Sequence, residues 1–259
     1  MSRVALLQVS SDANESADDR IERVLGMLGD ALPQADIAVL PELWIPGAFD
    51  LPLAREVAAP LDSPVVTRIR EMAASAGTWV HAGSYAERLP DGRTFNTAVL
   101  IGPDGEIVAT YRKRHLFGFA DGERTIITAG DALVVAETPL GHTGLATCYD
   151  LRFPEMFRDL VDAGAETFLL ASGWPTPRIS HWRVLAQARA IEDQAWLVAC
   201  NGVGSHAGIT LGGHSIVVDP QGTIVAEASD EETILYAEIE PGRAQEWRDA
   251  FPVLGDRLG

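Results

Sequence analysis

The sequence predicts an α/β fold, with two packed mixed sheets and helices outside them in preference to a single doubly wound sheet. Three observations point there. Short β-branched runs alternate with helical patterns over the first two-thirds of the chain, and hairpins take over in the last third. No linker-like or low-complexity stretch separates the two regions, and no repeat occurs at solenoid periods. The 259 residues therefore read as one domain, 1–259, long enough to bury a substantial core.

A strand is expected over residues 3–9 and a helix over 17–32, with Ile21, Val24, Leu25 and Leu28 along its apolar stripe. Residues 37–40 give a second strand, stopped by Pro41. A helix over 64–76 follows: Ser63 can cap it, Pro64 suits its first position, and Gly77 stands past its end. The third strand covers 78–85. Residues 95–101 and 107–111 form a hairpin across the Gly-Pro-Asp-Gly turn at 102–105, and 133–137 pairs with 143–147. Helix 154–163 places Met156, Phe157, Leu160 and Val161 on one stripe and ends at Gly164. Strand 167–171, helix 180–194 and strand 196–201 come next. In that helix Val184, Leu185, Ala188 and Ile191 are expected in the core, with Arg189 and Glu192 as an ion pair. Strands 215–218 and 224–228 flank an Asp-Pro-Gln-Gly turn, and strand 233–238 closes the pattern.

Composition narrows the function. An apolar content of 47% and a charged content of 22% are those of an ordinary globular protein. A net charge of −17 argues against nucleic acid as a partner, because phosphate binding needs basic surface. No apolar run approaches the roughly 20 residues of a membrane helix, and the N-terminus lacks a signal-peptide pattern, so cytoplasm is the expected compartment. The two cysteines, Cys148 and Cys200, are too few for a disulfide framework. His-x-His, CxxC, HExxH, GxSxG and Walker A patterns are all missing, which argues against catalytic zinc, a serine elbow and a phosphate loop.

Three positions invite chemistry. Cys148 stands where an apolar strand ends and a helix is about to begin, with Arg152 close by; thiolate is favoured near helix starts and positive charge. The competing reading is a small buried residue, which is the reading Cys200 keeps inside its apolar strand. Glu42 follows a strand directly, at the end where α/β folds place functional groups; alternatively it is a solvated loop acid. In the run Arg112-Lys113-Arg114, alternation sends Lys113 to the face opposite the two arginines, where it needs a carboxylate or an anion.

The segments LPELWIPG around Glu42, FNTAVLIGPDGEIVATYRKRHLF with Lys113, GLATCYDLRFPE around Cys148 and GHSIVVDPQGTIVAE occur in one order along the chain. Together they resemble the nitrilase, or carbon–nitrogen hydrolase, superfamily over almost the whole length. The resemblance implies a four-layer αββα sandwich, a homodimer, and no metal or organic cofactor. It maps the catalytic Glu, Lys and Cys to Glu42, Lys113 and Cys148, and a second glutamate to Glu123. Glu42 would then take the thiol proton and Cys148 attack an amide carbon, while Lys113 and the Tyr149 N–H hold the oxyanion and Glu123 holds Lys113.

The form CYDLRFPE is similar to the omega-amidase and deaminated-glutathione amidase branches, which cleave amides of 2-oxo acids. Tyr149 in that form disfavours the nitrile and carbamoyl branches. Arg152 can hold a substrate carboxylate, or form a structural ion pair with Glu155 or Asp159. GFADGE and SGWPTPRISHW are expected to line the pocket. A small carboxylate-bearing amide is the leading substrate class. A nitrilase or carbamoylase using the same triad and a non-catalytic scaffold are the alternatives.

Overall fold

In the computed structural model, which describes residues 1–118 and 122–258, the expected layers are present. The first half runs β1 (Ser2–Gln8), α1 (Ala17–Ala31), β2 (Ile37–Val39), α2 (Leu51–Glu56), α3 (Pro64–Ala76), β3 (Trp79–Arg88), β4 (Thr94–Ile101) and β5 (Ile107–Arg112). The second runs β6 (Val135–Thr138), β7 (Gly141–Thr147), α4 (Pro154–Asp162), β8 (Thr167–Ser172), α5 (Ile179–Asp193) and β9 (Trp196–Asn201). A small hairpin, β10 (Ser205–His206) and β11 (Ile209–Thr210), precedes β12 (Ile216–Val218), β13 (Ile224–Glu227), β14 (Thr233–Ile239) and α6 (Arg243–Ala250).

Two six-stranded sheets result, ordered β14-β1-β2-β3-β4-β5 and β13-β12-β9-β8-β7-β6. Each has three adjacent parallel strands, β1-β2-β3 and β7-β8-β9, continued antiparallel at both ends. Alternation along β1 shows the layering. Val4 and Leu6 share one buried cluster with Leu145, Leu169 and Val198 of the other sheet, while Ala5 and Leu7 share another with Leu28 of α1 and Ile69 of α3. Helices α4 and α5 cover the second sheet through Phe157, Leu160, Trp182 and Ala186. No helix among the described residues is long and apolar enough to cross a membrane.

Helix α3 ends as its sequence dictates, with Gly77 in the left-handed region at φ 66°. On α5 the expectation holds for Leu185, which packs against the core, and fails for two other positions. Val184 and Ile191 are 65% and 52% exposed, and the buried face carries Trp182, Ala186, Arg189, Ala190 and Asp193 instead. Both faces of this helix are apolar enough to satisfy a 3.6-residue period, and packing chose the one bearing the large Trp182. Arg189 and Glu192 do form the expected ion pair. Helices α2 and α6 lack a sequence signal: one has six residues, the other a single buried position, Ala244. Strand β3 runs on to Arg88 because its partner β4 continues the ladder to Thr94, and β6 starts two residues later than the pattern suggests.

Candidate active site

The carboxyl ends of the parallel strands open on one side of the sandwich, where α/β sheets collect their ligands. Glu42 leaves the sheet just after β2, and Cys148 follows β7 directly. A cavity of about 470 Å³ there is lined by Glu42, Lys113, Glu123, Cys148, Tyr149 and Arg152, among others. All six residues singled out in the sequence thus face one space.

Cys148 sits on a sharp elbow. Its φ is +47°, a left-handed conformation that typically costs a non-glycine residue about 1–3 kcal/mol. The turn that follows is a 3₁₀ helix, Cys148–Arg152, leading into α4. Asp150 holds the elbow. One oxygen accepts from Thr147 N at 2.9 Å and Tyr111 Oη at 2.7 Å, the other from His115 N at 3.0 Å and contacts His115 Nδ1 at 2.7 Å. The Tyr149 N–H lies in the first turn of this short helix and has no acceptor among the described residues.

Lys113 is fully buried, as strand alternation requires, between two carboxylates. Its Nζ donates to Glu42 Oε1 at 2.6 Å and to the two Glu123 oxygens at 3.0 and 2.8 Å. Asn96 Nδ2 bridges the same carboxylates, at 2.9 Å from Glu42 and 3.1 Å from Glu123. Gly173 N donates to the other Glu42 oxygen at 3.0 Å, and Phe117 N to Glu123 Oε2 at 2.6 Å. Every carboxylate oxygen is therefore engaged, which is what makes this much buried charge tolerable.

Burial pulls the Lys113 ammonium down, but Glu123 and Glu42 together outweigh it and keep it charged well above the usual lysine range. Burial also raises the Glu123 carboxyl, against the pull of Lys113 and with the push of Glu42. The Cys148 thiol is raised, first by burial and then by the Glu42 charge, while Lys113 opposes the rise. A raised thiol rests protonated, so its sulfur needs a base to become a nucleophile. Acid, ammonium and thiol share the floor of the cavity, the set that acyl transfer through sulfur uses.

Arg152 enters the cavity wall with no ion pair among the described residues; neither Glu155 nor Asp159 reaches it. Its guanidinium lies over the Trp174 ring, 4.6 Å from the centroid. Phe117, Gly118, Gly122 and Glu123 line the cavity from the GFADGE region, whose residues 119–121 lie outside the described residues. Trp174, Pro175 and Arg178 line it from SGWPTPRISHW. Asn96, Gly173 and Asp150 escaped sequence reasoning as individuals: each lay inside a motif, with nothing local to mark its partner. Cys200, by contrast, is buried with its thiol donating to Leu7 O at 3.2 Å, and both cysteines are free.

Comparison with known proteins agrees with this geometry. The chain is 42% identical to a 2-oxoglutaramate amidase of Paenarthrobacter nicotinovorans, over 98% of this chain and 88% of that protein. It is 37% identical to a 2-oxoglutaramate amidase of Bacillus subtilis, over 86% of this chain and 85% of the relative. A Xanthomonas campestris CN-hydrolase superfamily protein, solved with an arsenic adduct in its active site, superposes with a TM-score of 0.89. That match has 30% identity and covers 100% of this chain and 97% of the other. The model of the carbon-nitrogen hydrolase family matches residues 3–249, and the chain belongs to that family of enzymes.

Proposed function

We propose that this enzyme hydrolyses the amide of a small carboxylate-bearing 2-oxo acid, of the 2-oxoglutaramate type, through a thioester on Cys148. The observation that carries the reading is one cavity with Glu42, Lys113 and Cys148 at its floor and, in its wall, the Arg152 guanidinium, which joins no ion pair among the described residues. The relatives' activity on 2-oxoglutaramate supports it.

In this mechanism Glu42 accepts the thiol proton as sulfur attacks the amide carbon. The Lys113 ammonium and the Tyr149 N–H stabilise the oxyanion, and Glu123 anchors Lys113. Collapse of the tetrahedral adduct transfers the Glu42 proton to nitrogen, releasing ammonia and leaving the thioester. Water then gives its proton to Glu42 and attacks the acyl carbon. Glu42 returns that proton to sulfur, freeing the carboxylic acid and the thiol. Arg152 takes the substrate's carboxylate as a two-pronged partner.

The whole chain acts as one catalytic domain in this reading, in the cytoplasm, as a homodimer. The exposed Val184 and Ile191 on α5 supply an apolar face for the second copy. A screen of ammonia release over 2-oxo-acid amides, simple amides, carbamoyl amines and nitriles tests the activity. Turnover of 2-oxoglutaramate that vanishes in Cys148→Ala is expected; turnover confined to nitriles or carbamoyl amines overturns the reading.

A further inference from the structure

Arg152 is not alone. Arg178, from the turn that opens α5, lines the same cavity, and its guanidinium lies 5.4 Å from the Phe117 ring centroid. Among the described residues neither arginine joins an ion pair, and their one polar side-chain contact is Arg152 Nη2 to His181 Nδ1 at 3.5 Å. The two are coupled through the chain as well: Trp174, whose ring lies under Arg152, donates its Nε1–H to Arg178 O at 2.8 Å.

A guanidinium stacked on an aromatic face keeps its in-plane N–H groups unspent. Two such groups in one cavity repel each other. Burial first, then the Arg178 charge, pulls the Arg152 pKa down. An anion between them relieves both costs. Among the described residues the cavity offers none of its own, because its two buried acids, Glu42 and Glu123, are held by Lys113. In a chain of net charge −17, a cavity with two cations that pair with no carboxylate among the described residues suits a ligand better than the fold. Among the described residues the same arrangement leaves no free carboxylate to receive a substrate ammonium.

We propose that Arg178 is a specificity-determining residue that joins Arg152 in gripping the oxo-acid end of the substrate. It thereby favours monoamides of 2-oxo dicarboxylic acids over the corresponding α-amino acid amides. This rests on the carboxylate-amide reading above and adds a second cation to it.

The test compares kcat/KM for ammonia release from 2-oxoglutaramate, L-glutamine and uncharged butyramide in the wild type, Arg152→Gln, Arg178→Gln and Arg178→Lys. A hydrogen bond to a charged group supports a fall of about 10- to 100-fold in the 2-oxoglutaramate-to-butyramide ratio for Arg178→Gln, carried by KM, with partial recovery in Arg178→Lys. The wild type is expected to discriminate strongly against glutamine. If Arg152→Gln lowers the ratio and neither Arg178 variant does, the substrate reading stands and the role of Arg178 falls. An equal loss of kcat on all substrates in Arg178→Lys also overturns it, since a merely structural residue behaves that way. A wild type with no preference for the carboxylated amide overturns both. Should Arg178→Gln fail to fold, 2-oxoglutarate binding to Cys148→Ala with and without Arg178→Lys decides the question: weaker binding supports the proposal and unchanged binding refutes it.

Discussion

Two thiols in this chain share burial and a raised pKa, yet only one faces charged neighbours. What separates Cys148 from Cys200 is Glu42 and Lys113, and each should leave its own kinetic mark. Glu42→Gln keeps the size and one accepting oxygen, so it retains the hydrogen bond from either Asn96 or Gly173 but not both, and it loses the proton acceptor. A kcat about 10³ below the wild type, with little change in melting temperature, is expected. Lys113→Ala removes an oxyanion donor, worth about 10²–10³ in rate, and also strands two buried carboxylates against each other. That variant should lose activity and stability together, the latter by about 3–5 kcal/mol in a denaturant titration. A Lys113→Ala protein as stable as the wild type would show that the buried cation does not hold the site. These residues were readable because each sits at a chain event visible in sequence: a strand stopped by proline, an alternation that turns one basic residue inward, a strand meeting a helix start.

The turns between elements set the geometry that those residues need. Gly173, just after β8, has no room for a side chain: a Cβ there would lie 2.1 Å from Ala48 Cβ and 3.5 Å from Glu42 Oε2. Gly173→Ala should push the loop that donates to Glu42, and a misplacement of about 1 Å costs on the order of 10²-fold in kcat. Unchanged kcat would mean the Gly173–Glu42 contact is incidental. At the far end of α5, Asp193 puts a buried carboxylate at the negative end of a helix. Burial raises its pKa to about 7, against an unfolded value of about 3.9. The folded state binds the extra proton between those values, so a stability penalty is absent below about pH 4, grows as pH rises, and is complete above about pH 7. Asp193→Asn should therefore raise the melting temperature more at pH 8 than at pH 5. The same gain at both pH values would contradict this. None of this was visible in sequence, because Gly173 matters through Ala48, and Asp193 through the helix face that packing selected.

Two sheets with matching strand directions place Glu42 and Cys148 at corresponding edges of a single cavity, and that convergence is a property of the whole molecule. Alternating strands and helices foretold the two layers, but only the sheet pairing sets Asn96 between two carboxylates distant from it in the chain. Val184 and Ile191 of α5 belong here too: both are exposed where a core position is expected, which fits a face that a second copy covers. Sedimentation velocity should give a dimer for the wild type and a monomer for Val184→Glu combined with Ile191→Glu; a dimer in both places the contact elsewhere.

Acid quenching during turnover of 2-oxoglutaramate, followed by intact-mass and peptide mapping, reads the chemistry itself. The mechanism predicts a population whose mass exceeds the free enzyme by one 2-oxoglutaryl group, less the thiol hydrogen, mapped to Cys148 and absent from Cys148→Ala. Ammonia release persisting undiminished in Cys148→Ala, with no acyl group on the wild-type cysteine, would contradict it.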